Sequence, residues 1–203
     1  MDWSLLHTLN DFLFHHDQVE DPLLFYVNVS EALFVATLAI VFLLSHGPRH
    51  LEMRRATVAA VLSAGLGLAV AKLISELVDR ARPFVADPNG VHLFSGHAAD
   101  PGFPSDHATA AFAIATAIVL RRRKAGILAL VAAAVLSIGR VALGVHYPSD
   151  VLAGAAVGAA AALALWSPAA RRRVDAIADF LGRSCDRALG WGAERTGIAW
   201  RPW

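Results

Sequence analysis

Five apolar stretches separated by short polar links leave this chain few ways to fold. They cover residues 23–44, 56–77, 105–120, 125–144 and 151–166. A hydrocarbon core takes about 20 apolar residues of helix, and several stretches are shorter, so their flanks must extend them by a turn. Backbone in lipid has no water to bond to, which restricts spanning structures to helices and closed barrels. Period-two alternation is absent and Ala and Leu dominate, so these stretches read as helices. With 56% of its 203 residues hydrophobic and 17% charged, the chain leaves the soluble range of about 45–50% and 25%. The expected fold is all-α: an integral-membrane helical bundle of about five transmembrane helices. An N-terminal interfacial helix and a basic amphipathic C-terminal helix complete it. The divisions fall at 1–22 (interfacial segment), 23–167 (transmembrane domain) and 168–203 (cytoplasmic tail).

The links alternate in charge. Arg49, Arg54 and Arg55 follow the first stretch, an RRRK run at 121–124 follows the third, and an RRR run at 171–173 follows the fifth. Stretches that alternate in direction bring all three clusters to one side, which the positive-inside rule makes cytoplasmic. The N-terminus, with Asp2, Asp11, Asp17, Glu20 and Asp21, is then expected outside, as are 78–104 and 144–150. It lacks a basic n-region and does not read as a cleavable signal peptide. A single cysteine, Cys185, permits no internal disulfide. Residues 3–14 place Leu5, Leu6, Leu9, Phe12 and Leu13 on one face, as an interfacial helix does. The tail from Ala169, basic and ending in a Trp-bearing stretch, suits an anionic leaflet. Gly154 and Gly158, spaced GxxxG, read as a packing device.

Three polar clusters remain, all at the outer ends. KLISELVDRARPF (72–84) closes the second stretch, PSDH (104–107) opens the third, and GRVALGVHYPSD (139–150) joins the fourth to the fifth. Ionisable groups within membrane segments are costly and mark function by default. Ser105 after Pro104 is a good N-cap, and a helix N-terminus attracts anions. His107 would sit beside such an anion, ready to exchange a proton. Pro148 breaks the chain after His146 and puts Asp150 in the first turn of the next helix. A histidine held by a carboxylate has a fixed tautomer and a nucleophilic free nitrogen. Arg82 and Arg140 carry forks that match phosphate oxygens. Together these groups point to phosphoryl transfer without a metal.

The three clusters resemble the motifs of the type 2 phosphatidic acid phosphatase superfamily, over residues 72–155. FPSDHAT and GVHYPSDVLAG further resemble its bacitracin-resistance branch, the undecaprenyl-diphosphatases. The resemblance implies His146 as the nucleophile forming a phosphohistidine, Asp150 as its partner and His107 as the general acid. It implies Arg82, Ser105 and Arg140 at phosphate-binding positions, together with Asp106, which stands where most of the superfamily has Gly and is typical of the undecaprenyl branch. Gly139 stands in place of a usual Ser. The family's lysine would fall on Ser75; Lys72, one turn earlier, either reaches the phosphates or snorkels to the interface, and Arg80 is a substitute candidate.

The implied activity is a metal-independent lipid phosphatase of the bacterial plasma membrane, N-terminus out and C-terminus in, with its active site on the extracytoplasmic side. Its implied substrate is undecaprenyl diphosphate; phosphatidic acid, phosphatidylglycerophosphate or a phosphorylated prenyl sugar are alternatives with the same chemistry. The bilayer is the other expected partner. No cofactor, metal or nucleic acid is expected, and the sequence does not set the oligomeric state. His92, His97 and Asp100 fit a substrate-covering loop better than a metal site, because their spacing matches no ligand pattern. Glu76 reads as a structural partner of Lys72. A lipid or anion transporter would need the arginines but not the His–Asp pair. A haloperoxidase is a third class, disfavoured by the small size and the five spans.

Overall fold

A computed structural model describes residues 2–47 and 50–190. Arg49 of the first basic cluster and the Trp-bearing end of the tail lie outside the described residues. Within them the chain forms eight helices: α1 (Asp2–Phe14), α2 (Asp17–Leu44), α3 (Leu51–Leu77), α4 (Pro83–Ala86), α5 (Asp106–Val119), α6 (Arg123–Ala142), α7 (Pro148–Trp166) and α8 (Pro168–Ala188). Four of them, α2, α3, α6 and α7, are long and apolar enough to cross a membrane. The remaining apolar stretch becomes α5, whose 14 residues rise only about 21 Å, less than the ~30 Å of hydrocarbon.

Helix α5 is short because it is an inner element. It packs against α3, α6 and α7 through Ala108, Ala111, Ala113, Ala115 and Ala117, all buried. Side chains this small let backbones approach closely. The reciprocal surface on α7 is the glycine pair. A Cβ on Gly154 would stand 2.5 Å from the Ser105 carbonyl oxygen, and one on Gly158 would stand 2.2 Å from that of Thr109. The α7 glycines therefore set the depth at which the first turn of α5 lies.

Both ends form the expected helices, and both pack on the bundle. Helix α1 turns Leu6, Asn10 and Leu13 inward, an i, i+4, i+7 face, while Leu5 and Phe12 are about half exposed. It docks on α6, α2 and α7. The Asn10 amide explains why: Nδ2 donates to the carbonyls of His92 and Ala142, each at 2.8 Å, and Oδ1 accepts the His92 N–H at 2.8 Å. One side chain thus satisfies backbone groups where α6 ends and where the long loop passes. The division drawn at 22/23 falls inside α2, which begins at Asp17.

Helix α8 is also docked. Asp175, Asp179 and Asp186 line its inner face and pair with Arg121 (2.5 Å), Arg55 (2.7 Å) and Arg54 (2.8 Å). A Cβ on Gly182 would stand 2.7 Å from Arg54 Nη1, so the glycine makes room for that guanidinium. Three of the arginines that set the charge asymmetry are therefore held by carboxylates, leaving Ile177, Phe180 and Leu181 exposed on α8.

Candidate active site

The link from α6 to α7 places the first histidine. Helix α6 ends at Ala142, and Gly144 follows with φ +77°, a left-handed conformation that glycine adopts without strain. The next residues run to Pro148, the first of α7, carrying His146 inward to 2% exposure. Asp150, fully buried, closes a capping box: its Oδ2 accepts the Tyr147 N–H at 2.8 Å.

The His146 ring is held at both nitrogens. Nδ1 donates to the Gly102 carbonyl at 3.0 Å, while Asp150 Oδ2 lies 3.6 Å away. At that distance the carboxylate contributes charge but not a formed hydrogen bond. The tautomer-fixing partner is therefore a backbone carbonyl of the 78–104 loop, with Asp150 behind it. Nε2 accepts from Arg82 Nη1 at 3.2 Å. His146 lies between the spans, where burial first, then the Arg140 and Arg82 charges, lowers its pKa to about 4 against the pull of Asp150. The ring is neutral at pH 7, with its Nε2 lone pair directed at Arg82.

Arg82 joins the pieces. Its Nε donates to the Asp100 carbonyl and carboxylate, each at 3.1 Å, and Nη1 also donates to the Val145 carbonyl at 3.2 Å. Burial raises the Asp100 pKa, but the hydrogen bond and charge of Arg82 outweigh it, leaving that carboxyl below its ordinary value. Arg140 is 5% exposed and donates from Nη2 to His97 Nε2 at 2.9 Å. Its buried Nε has no hydrogen-bond partner among the described residues. An unfilled guanidinium donor is costly unless something binds there, and a phosphate oxygen fits it.

These groups face one cavity of about 340 Å³, lined also by His107, Asp106, Lys72, Ser75, Glu76 and Glu31. His107 projects from the first turn of α5, with Nε2 3.2 Å from Glu31 Oε1 of α2. Ser105 and Asp150 stand outside the lining. Ser105 is fully buried, and its Oγ accepts the Ala108 N–H at 3.5 Å, a long N-cap bond. Asp106 is exposed at the rim. Lys72 is 73% exposed and pairs with Glu76 at 3.8 Å. Arg80 turns away from the cavity: Nη1 donates to Asp150 Oδ1 at 2.7 Å and to Ser149 Oγ at 2.6 Å, and Nη2 to Asp2 at 3.0 Å. It supplies the counter-charge of a buried carboxylate. His92 stacks on Phe14 at 3.7 Å, apart from His97 and Asp100. Gly139, where Ser is usual, abuts Val27; a Cβ there would come within 2.7 Å of Val27 Cγ2.

A family match spans residues 56–173, more than half the chain, and takes in all three polar clusters. This chain belongs to the PAP2 superfamily. Among curated PAP2 relatives it is 36% identical to the undecaprenyl-diphosphatase BcrC of Bacillus subtilis over 140 residues, 69% of this chain and 70% of that protein. It is 42% identical to the lipid A 1-phosphatase of Rhizobium etli over 95 residues, 44% of this chain and 40% of that protein. The crystal structure of a transmembrane PAP2-type phosphatidylglycerolphosphate phosphatase from Bacillus subtilis matches at a TM-score of 0.59, covering 80% of this chain and 83% of that one. Identity there is 18%, so the likeness is one of fold. With its long apolar helices, the protein is a multi-pass PAP2 membrane phosphatase.

The sequence placed His97 in a substrate-covering loop and offered Arg80 as a phosphate ligand, but not the pairing of His97 with Arg140 or of Arg80 with Asp150. It gave no role to the Gly102 carbonyl, or to Glu31, a carboxylate in the middle of an apolar stretch.

Proposed function

We propose that this PAP2 protein hydrolyses undecaprenyl diphosphate at the extracytoplasmic face, through a phosphohistidine on His146. One observation carries the chemistry: His107 and His146 face a cavity that also holds two buried guanidinium groups, one with an unfilled donor. Arg82 and Arg140 grip the terminal phosphate. As Arg82 moves to phosphate oxygens, it frees the His146 Nε2 lone pair, which forms the N–P bond while the P–O bond to the leaving group breaks. His107 gives a proton to the departing oxygen. The imidazolium developing at His146 is stabilised by the Gly102 carbonyl and by Asp150, whose position Arg80 maintains. A water then attacks phosphorus as the N–P bond breaks and its electron pair returns to His146 Nε2; His107 takes the water's proton, and inorganic phosphate leaves. The positive charge this path needs at phosphorus comes from the arginines.

A second cavity favours a lipid substrate. About 390 Å³ of apolar space lies between α2, α3, α5 and α6, lined by Leu33, Phe34, Leu38, Ile114 and Ile118 among others. Leu33 and Phe34 follow Glu31 within one turn, so the cavity lies just past the headgroup site along α2. A prenyl chain suits it, and the identity to BcrC favours the polyprenyl diphosphate. The outward placement of the site rests on the arginine asymmetry.

Phosphate release by purified protein in detergent with excess EDTA tests this reading. The expected result is release from undecaprenyl diphosphate at least about tenfold faster than from phosphatidic acid, a preference of ~1.4 kcal/mol. Release from phosphatidic acid alone would remove the cell-wall substrate. Loss of all release in EDTA, restored by a divalent metal, would remove the metal-independent path.

A further inference from the structure

Glu31 has no role in the mechanism above, yet it is the carboxylate nearest the proposed acid. It is residue 15 of the 28 in α2, some 21 Å along the helix. An ionisable side chain so far into an apolar helix needs a partner. Its partner is His107, with Oε1 3.2 Å from Nε2.

The surroundings of His107 explain why an acid there needs such a neighbour. Arg140 from α6 and Arg82 from the loop after α3 face the same cavity, as do His97, Asp100 and His146. The positive charges oppose a protonated imidazole. Most of the available negative charge is already engaged: Asp100 by Arg82 at 3.1 Å, and Glu76 by Lys72 at 3.8 Å. Asp106 precedes His107 on α5, and consecutive helical residues do not face each other. Among the described residues, Glu31 alone brings a carboxylate within 4 Å of the ring.

We propose that Glu31 is a positioning residue, the counter-ion that keeps His107 protonated and aimed until the leaving oxygen takes the proton. The inference rests on the reading of His107 as general acid. In the resting site Nε2 stands 3.2 Å from Glu31 Oε1, within ion-pair reach once the ring is protonated. After transfer the ring is neutral, and it recovers a proton from the attacking water, so Glu31 exchanges none itself. The same carboxylate keeps net positive charge in the cavity low enough for the phosphate product to leave.

The test is the pH profile of kcat/KM on undecaprenyl diphosphate in detergent, for the full chain and for Glu31→Gln, Glu31→Asp and His107→Asn. A general acid must be protonated, so its titration forms the alkaline limb. Removing a negative neighbour makes the proton easier to lose and moves that limb toward lower pH. An opposite charge within 4–6 Å typically shifts a pKa by about 1–3 units. Glu31→Gln is therefore expected to move the limb down by about one unit or more, with a loss of about tenfold or more above it. Glu31→Asp should restore most of the loss, and His107→Asn should abolish the limb. A uniform fall in kcat/KM with the limb unmoved in Glu31→Gln, but absent in His107→Asn, would overturn the role of Glu31 and leave the acid in place. A limb that survives His107→Asn would overturn both. A merely structural role would lower the yield of folded protein without moving the limb.

Discussion

His146→Asn is expected to lower phosphate release by about 10⁴-fold or more, the scale on which losing a nucleophile acts. The amide nitrogen's lone pair is delocalised into its carbonyl, and the shorter side chain cannot reach the position of Nε2. The fold should persist, because the α6–α7 link is held by bonds that do not use the ring. Gly144 N–H donates to Val141 O at 3.0 Å, Val145 N–H to Arg140 O at 3.3 Å, and Tyr147 N–H to Asp150 at 2.8 Å. Binding of a non-hydrolysable lipid phosphonate should weaken by less than about tenfold (~1.4 kcal/mol), since the arginines that hold it remain. A transporter would show the converse, unchanged function in the variant. The native nucleophile also has a defined pH range. Burial, with the arginine charges, lowers the His146 pKa to about 4. Its lone pair is therefore available throughout pH 5–8, and its contribution to kcat/KM falls only as pH drops through about 4.

Gly158→Val should abolish the folded protein altogether. The new Cβ would lie 2.2 Å from the Thr109 carbonyl oxygen and 2.8 Å from the Ala113 nitrogen, both backbone atoms of α5. Overpacking typically destabilises by about 1–3 kcal/mol when side chains can yield. Here the obstacle is a helix backbone buried among three neighbours, and the branched side chain adds two further methyl groups. Any escape displaces the first turn of α5, and His107 with it. The expected outcome is aggregation or degradation, read as loss of the monodisperse peak in detergent gel filtration. Gly65→Val is the matched control, because a Cβ there meets nothing within 4 Å. It should give a normal peak and normal phosphate release.

What the sequence revealed, and what it concealed, follows the range of the interactions. Ser105, His107 and Asp150 were legible because capping and helix-terminus chemistry are local. His146 and Asp150 share one short segment, so their proximity could be read directly. The apolar stretches gave the bundle, although α5 proved too short to cross on its own; its polar first turn and small side chains suit an interior place. Long-range partners were hidden. Gly102 reaches His146 from 44 residues away, and a backbone carbonyl leaves no mark in a residue pattern. Arg80 was a candidate substitute for the family's lysine, but its partners Ser149, Asp150 and Asp2 lie about 70 or more residues away, where no local pattern shows them. The acidic stripe of α8 was obscured by the arginines around it. Asp175, Asp179 and Asp186 gain meaning only once α8 folds back against α3.

The most direct test of the central claim is to catch the covalent intermediate. Undecaprenyl diphosphate labelled with ³²P in its terminal phosphate would be mixed with the protein and quenched in base within the first turnovers. Phosphohistidine survives base and is lost in acid, whereas phosphoserine survives acid. The expected result is base-stable, acid-labile label on the peptide bearing His146, absent from His146→Asn. Turnover at full rate with no label on the protein, or label on a residue other than His146, would contradict it.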